Sequence, residues 1–204
     1  MTEIGDPQLL PELLAAVTRD EARARLQAAR SLRLLSERAP ELIYPHFELF
    51  VKLRRDKNSI VRWNAMLVLG NLAVVDTERK LDRMIDNYLA PIDGPHLIDA
   101  ANTIRGACAI AAAKPPLADT IARHIQKAER AVYATPECRN VALGHAITAL
   151  DRLFPLLTHK HSIRPFVSRQ LENARAATRG KAQRFLHHWP EASAAVPQSR
   201  VTKA

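Results

Sequence analysis

The sequence predicts an all-α protein, built as an α-solenoid of about five stacked helix pairs. Ala, Leu and Arg dominate its 204 residues, and all three favour helices. Alternating runs of β-branched and polar residues, which would indicate strands, are missing. A small residue also recurs within apolar helical stripes, with a period of about 37–41 residues. Its positions are Ala28, Ala65, Ala146 and Ala182.

The first two repeats are each predicted to contain two helices. The predicted helices span 7–17 and about 21–37 in the first repeat, and about 40–54 and 59–74 in the second. Pro40 fits the first position of its helix, where a missing N–H has no cost, and Asn58 or Ser59 caps the last. Both second helices carry apolar residues spaced four, four and three, as a helical face requires. These are Ala24, Ala28, Leu32 and Leu35, and then Val61, Ala65, Leu69 and Leu72.

The helix over 59–74 is predicted to be internal. Its apolar residues point in nearly every direction, and a helix that is apolar all round is buried all round. In a stack of helix pairs, this is the second helix of an internal repeat, covered by its own partner and by both neighbours.

The remaining repeats follow the same plan with looser patterns. The third covers about 77–114, and its second helix, about 95–113, is apolar without a clean stripe, so its register stays open. The fourth and fifth centre on Ala146 and Ala182. We expect one repeat domain over 1–190 and a disordered tail over 191–204, which is rich in Ala, Ser and Pro. Turns are predicted at 18–20, 56–59, 93–95, 135–137 and 173–176.

The stretch 56–72 resembles the core of a HEAT repeat. That motif has an Asp in the turn, Val-Arg at the start of the second helix, then Ala, and then Leu-Gly. The first and last repeats place Arg25 and Arg179 at the position of the motif Arg. The matching residues in the second repeat are Asp56, Val61, Arg62, Ala65, Leu69 and Gly70.

The resemblance implies a right-handed α-solenoid of about five HEAT-like helix pairs, related to the armadillo-like folds. Proteins of this kind are generally scaffolds that bind proteins, and sometimes nucleic acid, along a curved surface. The resemblance also implies that Asp56 and Arg62 belong to a structural hydrogen-bond ladder between repeats. A contact with a ligand is the alternative interpretation of these two residues.

Positive charge is concentrated in the last 90 residues. Residues 1–114 hold 16 Lys and Arg against 15 Asp and Glu, whereas residues 115–204 hold 14 against 6. The net charge of +9 therefore belongs almost entirely to the later repeats, where a charged partner should bind.

A basic cluster between residues 160 and 184 contains four candidate partner-binding residues. Three interpretations remain open: a solvated outer face of the last repeat, a site for an acidic protein, and a site for nucleic acid or another polyanion. The candidates are Arg164, Arg175, Arg179 and Arg184, accompanied by Lys160, Arg169 and Lys181 against the single acid Glu172.

The segment 133–141 combines a turn with a helix start, where Thr135 suits the N-cap and Pro136 the first helical position. Arg139 and Asn140 are further candidates for a partner contact. Cys138 lies seven residues before His145, about 10 Å along a helix axis. That separation is too large for the histidine to activate the thiol directly, so a structural turn or a partner contact is favoured over a catalytic pair.

The sequence has no Gly-rich phosphate-binding loop, no His-Glu-x-x-His and no Gly-x-Ser-x-Gly motif, so we expect a non-enzymatic protein without a cofactor. Histidines 159, 161, 187 and 188 lack the neighbouring Cys or acidic ligands of a zinc site, so no metal is expected. One enzymatic alternative is a resemblance to the HEAT-like alkylpurine DNA glycosylases, with Trp63 and Trp189 as stacking residues. The acidic catalytic residue of that family has no counterpart that we can place.

A cytoplasmic location is expected. The N-terminus lacks the basic start and the cleavage site of a signal peptide, and no apolar run is long enough to span a membrane. The two cysteines suit a reducing compartment. The sequence thus favours a scaffold for a protein partner, with nucleic acid as the alternative ligand.

Overall fold

The computed structural model describes residues 7–190, and within that range the chain is helical without β-strands. Short 3-10 turns extend or connect many of the α-helices. The predicted tail over 191–204 lies outside the described residues. The helices are α1 (Leu10–Val17), α2 (Ala22–Arg38), α3 (Pro40–Ile43), α4 (Phe47–Leu53), α5 (Ser59–Asn71), α6 (Lys80–Leu89), α7 (Leu97–Ala113), α8 (Ala118–Gln126), α9 (Pro136–Leu153), α10 (Ile163–Arg169) and α11 (Ala176–His188).

Five long helices pack one after another in chain order. Helix α2 packs on α5, α5 on α7, α7 on α9, and α9 on α11, and we call these five the second helices. The other helices, here called the first helices, pack against them: α1 and α3 on α2, α4 on α5, α6 on α7, α8 on both α7 and α9, and α10 on α11. An internal second helix therefore has neighbours on three sides and one free face.

Helix α5 is the most buried of the second helices. Residues 65–70 are all buried, and Val61, Val68 and Leu69 have no measurable exposure. Removing each such aliphatic side chain from water stabilises the fold by about 1.5–3 kcal/mol. Its burial against α2, α4 and α7 agrees with the expectation of an internal helix, although Ile60 at its first turn remains exposed.

Helices α5 and α7 approach each other closely at two glycines. A Cβ atom placed on Gly70 would lie 2.8 Å from the Cα atom of Gly106, closer than packed atoms are found. Tyr88 covers the same point from α6, where its hydroxyl donates to the Met66 carbonyl at 2.9 Å. The two glycines thus allow direct backbone contact at the centre of the molecule.

The helix starts follow the predicted caps, but one predicted helix is broken. The Asn58 side chain accepts from the backbone N–H groups of Ile60 and Val61, and Thr135 accepts from that of Cys138. The prediction of one continuous helix over 40–54 was wrong. A 3-10 turn over Tyr44–His46 separates α3 from α4. Pro45 within that turn has no N–H to donate and cannot continue an α-helical ladder.

Candidate functional site

The fourth residue of four second helices is an arginine that binds the turn before its own helix. The Arg25 Nε donates to the Val17 carbonyl at 2.9 Å, and the Arg62 Nη1 to the Asp56 carbonyl at 2.8 Å. Arg179 donates to the Asn173 carbonyl at 2.8 Å, and Arg139 donates to that of Glu129. Arg139 and Arg179, two of the predicted partner-binding residues, thus each fasten a turn.

Two of these arginines also reach the next helix pair. Arg25 forms an ion pair with Asp56, and Arg62 forms one with Asp99 of α7 at 3.2 Å. The Trp63 indole donates to the same Asp99 oxygen at 2.5 Å. Asp56 and Arg62 thus lie in a chain of contacts that runs across the first three helix pairs. Asp56 contacts the first pair through Arg25, and Arg62 contacts the third pair through Asp99.

The basic cluster does not form one surface. On α10, Arg164 donates to the Trp189 carbonyl, and Arg169 pairs with Glu129 at 2.7 Å. Arg175 lies at the turn before α11 and pairs with Glu137. Arg184 is exposed on α11, one turn after Lys181. Lys181 and Arg184 belong to the face of the second helices that no first helix covers, and Arg175 lies close enough for its charge to act on Lys181.

That free face carries a regular stripe on each second helix. On α7, Ile98, Arg105 and Ala112 are exposed at intervals of seven residues, so they lie on one side of the helix. The stripe on α9 contains His145 and Arg152, both exposed. The corresponding residues on the flanking helices are Ile60, Asn64 and Asn71 of α5 and Lys181, Arg184 and His188 of α11.

A groove crosses this face over α7 and α9. One cavity of about 490 Å³ lies between the two helices, and a second of about 350 Å³ continues toward α5. Both are lined by Arg105, Cys108 and Arg152, and we call the two together the free-face groove. The first cavity has polar walls and a floor of small or apolar side chains, formed by Asn102, His145 and Thr148 above Ala101, Ile104 and Ala149.

Positive charge dominates one end of the free-face groove. Desolvation by the surrounding helices, and then the Lys181 ammonium, lower the pKa of His145. Desolvation, followed by the positive charges of Arg184 and Arg175, lowers the pKa of Lys181. The Lys181 Nζ donates to the Gly144 carbonyl at 2.9 Å, which holds the ammonium beside the groove. An anionic group bound here would relieve this repulsion.

The environment of Cys108 opposes ionisation of its thiol. Burial raises the pKa of Cys108 to about 11, and the nearby Arg152 only partly opposes this effect. The thiol is therefore protonated at neutral pH, whereas nucleophilic attack requires the thiolate. Cys138 packs in a small cluster with Tyr133, while His145 lies exposed on the free face.

The tryptophans considered above as stacking residues make contacts within the chain, and so do several histidines. The indoles of Trp63 and Trp189 donate to Asp99 and Asp151, the second at 2.8 Å. His159 contacts Asp119 at 3.0 Å, and His188 contacts Asp151 at 3.3 Å. Within residues 7–190, no group of three or more His, Cys, Asp or Glu side chains is placed to hold a metal ion.

No helix in the described range combines the length and apolar character needed to cross a lipid bilayer.

Two residues of the groove, Arg105 and Arg152, were missed by the sequence analysis. A signal was present, because Arg105 follows Ile98 by seven residues and Arg152 follows His145 by seven. Because positive and negative charges nearly balance in residues 1–114, the charge count did not single out Arg105. Because the apolar residues of α7 form no clear stripe, the sequence did not show which side of this helix is free.

Comparison with protein-family models gives no match for this chain, and a search of curated proteins finds no relative.

Proposed function

We propose that this chain is a HEAT-like scaffold, a right-handed α-solenoid of about five helix pairs over 1–190, that binds a protein partner. Packing of each second helix on the next supports the stacked arrangement. The arginine at the fourth position of four second helices and the Arg25–Asp56 and Arg62–Asp99 contacts support a ladder between repeats.

The observation that carries the binding role is the free-face groove. It lies on the side of the second helices that no first helix covers, and it combines exposed Arg105 and Arg152 with a floor of small side chains. Small floor residues admit a partner's backbone, and the arginines supply directed donors at the walls. The scaffold role proposed here is non-enzymatic, and the raised pKa of the Cys108 thiol makes this residue unsuited to nucleophilic attack. Two free cysteines agree with a cytoplasmic location.

Nucleic acid is the second candidate ligand. The exposed side chains of Arg105, Arg152 and Arg184 on neighbouring second helices favour it, since phosphates are bound mainly through Lys and Arg. Affinity of this origin would fall steeply as salt rises. Charge reversal at Arg105, Arg152 and Arg184 together would then abolish binding, and unchanged binding would exclude this candidate.

A capture experiment tests the scaffold proposal. The wild-type chain and the pair variant Arg105→Glu with Arg152→Glu are each used to retain proteins from the source cell. The matched control is Arg123→Glu, which reverses one exposed charge on the first helix α8. We expect the wild-type chain and the control to capture proteins that the pair variant does not capture. Cross-linking should join these proteins to residues of α7 or α9. Identical capture by all three chains would contradict binding at the free face.

A further inference from the structure

We propose that the free-face groove takes an acidic, amphipathic protein segment that lies extended across the second helices. This inference rests on the scaffold function proposed above and specifies the chemistry of the partner. The structural basis is two rows of side chains, one apolar and one cationic, that run across the same face.

The apolar row lies near the N-terminal ends of the second helices. Ile60 of α5 is 42% exposed and Ile98 of α7 is 46% exposed, although both are large aliphatic side chains. Val141, which is half-buried, continues the row on α9, four residues before His145. Aliphatic side chains that reach solvent on successive helices offer a strip for apolar contact.

The cationic row lies toward the C-terminal ends of the second helices. Arg105 follows Ile98 on α7 by seven residues, about 10 Å along the helix axis, and Arg152 follows Val141 on α9 by eleven residues, about 16 Å. Arg152 on α9 and Arg184 on α11 continue the cationic row, and both are exposed. Glu37 of α2 borders the groove only at its far end. Carboxylates on the ligand would therefore meet several cations on one side.

The spacing of the helices sets the length of the segment. From α5 to α11 the face crosses three helix contacts, about 30 Å in all at roughly 10 Å per contact. About nine extended residues cover that distance at about 3.3 Å per residue. Alternate side chains of an extended segment point to opposite sides. Apolar residues can then contact the Ile60 and Ile98 row, while acidic residues between them contact Arg105 and Arg152.

The apolar row favours a protein segment over nucleic acid. A phosphate backbone would use the cations and leave Ile60 and Ile98 without a partner. Single-stranded nucleic acid also stacks its bases on aromatic side chains. The tryptophans Trp63 and Trp189 are instead held through their indole N–H groups by carboxylates.

Fluorescence anisotropy with synthetic probes tests the proposal on the full chain. The main probe is a labelled peptide of about ten alternating valine and glutamate residues, a length that spans the face. Comparison probes replace every valine by serine, replace every glutamate by lysine, or use a single-stranded oligonucleotide of similar length. We expect the valine–glutamate peptide to bind tightest and the valine–lysine peptide not to bind.

Three variants assign the contacts. Arg105→Glu with Arg152→Glu should weaken binding of the valine–glutamate peptide at least about tenfold, since two charge-assisted contacts are lost. The milder pair of Arg→Gln changes should weaken it less. Ile98→Ser should weaken this peptide by about fivefold and leave the serine–glutamate peptide unchanged. Arg123→Glu should change nothing. Circular dichroism verifies that each variant keeps its helices.

Two results would overturn the inference. One is the absence of binding by the valine–glutamate peptide to the folded wild-type chain. The other is tighter binding of the oligonucleotide together with no effect of Ile98→Ser, which would identify a polyanion site. If partners are still captured through Arg105 and Arg152 while the peptide fails to bind, the scaffold function stands and this inference alone is excluded.

Discussion

At the residue scale, Asp76 is the most connected carboxylate of the described chain. Its side chain is fully buried and accepts from the backbone N–H groups of Lys80 and Leu81 at the start of α6. It also accepts from the Tyr44 hydroxyl at 2.8 Å and pairs with Lys114 at 3.0 Å. One carboxylate therefore joins the starts of two first helices to the end of α7.

The stability of the protein should depend on the charge of Asp76. Burial alone would raise the pKa of Asp76, but the hydrogen bonds from Lys114, Tyr44 and the start of α6 outweigh it and lower the pKa. The stabilisation is thus complete above the ordinary carboxyl pKa of about 3.9 and is lost as pH falls through the lowered value. Asp76→Asn should cost about 3 kcal/mol at neutral pH, because Lys114 loses a buried partner.

Urea denaturation at a series of pH values measures this effect. The difference between wild type and Asp76→Asn should shrink as the pH falls below about 4. Asp86→Asn is the matched control, since the Asp86 side chain is 80% exposed, and it should shift stability by less than about 0.5 kcal/mol. A wild-type–variant difference that stayed constant into strong acid would refute the role of the charge.

At the element scale, the contact between α5 and α7 depends on Gly106. A Cβ atom on Gly106 would lie 1.9 Å from the Tyr88 hydroxyl and 3.2 Å from the Met66 carbonyl. The clash must push Tyr88 out of its place on α6 and break its hydrogen bond. Gly180 of α11 is the contrasting case, because a Cβ there meets only the end of Arg184, at 3.6 Å.

Alanine at the two glycines should therefore have opposite effects. Gly106→Ala should lower the free energy of unfolding by about 2–3 kcal/mol through overpacking. Gly180→Ala should raise it by about 0.5–1 kcal/mol, since alanine favours the helix interior. Adding Tyr88→Phe to Gly106→Ala removes the clashing oxygen, so part of the loss should be recovered. Chemical denaturation measures all three, and an equal loss at both glycines would contradict the packing explanation.

Helix positions were predictable because their signals are local. The stripe of Ala28 and the cap at Asn58 involve residues within one or two turns, and both define helices in the structure. The prediction over 40–54 was wrong because it did not take account of Pro45. This residue also acts locally, since it interrupts the helix in which it lies. The sequence of α7 shows no clear apolar stripe for a physical reason. Other helices pack on three of its sides, and small residues allow close packing on all three.

The contacts of Asp56 and Arg62 were harder to predict than the helices. The family resemblance implied that both residues take part in contacts between repeats, but it did not identify their side-chain partners, which are Arg25 and Asp99 of other helix pairs. Partners 31 and 37 residues away cannot be assigned without knowing how one pair lies on the next.

At the scale of the whole molecule, each second helix packs on the next second helix in chain order. A stack of this kind should tolerate the loss of its last pair. A chain ending at His161 lacks α10 and α11 but keeps α1 to α9. We expect its helix content per residue to stay close to that of the full chain, with a lower melting temperature, because Phe154, which directly follows α9, loses its contact with Phe185.

Far-UV circular dichroism and thermal melting of the two chains test this expectation. Loss of nearly all helical signal in the shortened chain would show that the molecule folds as one indivisible core, against a solenoid. Retained helix with a single lower transition would agree with the stack.

The sequence did not identify the residues that line the free-face groove. The charge asymmetry pointed to the C-terminal repeats, but Arg164, Arg169 and Arg175 make contacts with other parts of the chain. A linear count of charge does not distinguish an arginine that binds a carbonyl from one that faces solvent. To make that distinction, one must know which side of each helix remains free of other helices.

The joint between α7 and α9 differs from the other joints between second helices. Its polar side chains bond within their own helix, Asn102 to the Ile98 carbonyl and Thr148 to the Gly144 carbonyl, both at 2.9 Å. Among residues 7–190 no hydrogen bond connects α7 with α9, whereas Thr178 and Lys181 bond α11 to the α9 backbone. Dispersion contacts between small side chains lack a preferred direction, so we expect this joint to resist sliding mainly through α8, which packs on both helices.

Considered as an elastic rod, the molecule should bend most easily where α7 meets α9, beneath Arg105 and Arg152. Helix α8 braces this joint on the side away from the free face, since it packs on both helices. A ligand that holds both arginines would brace the free side of the same joint, so we expect occupancy of the groove to stiffen the rod.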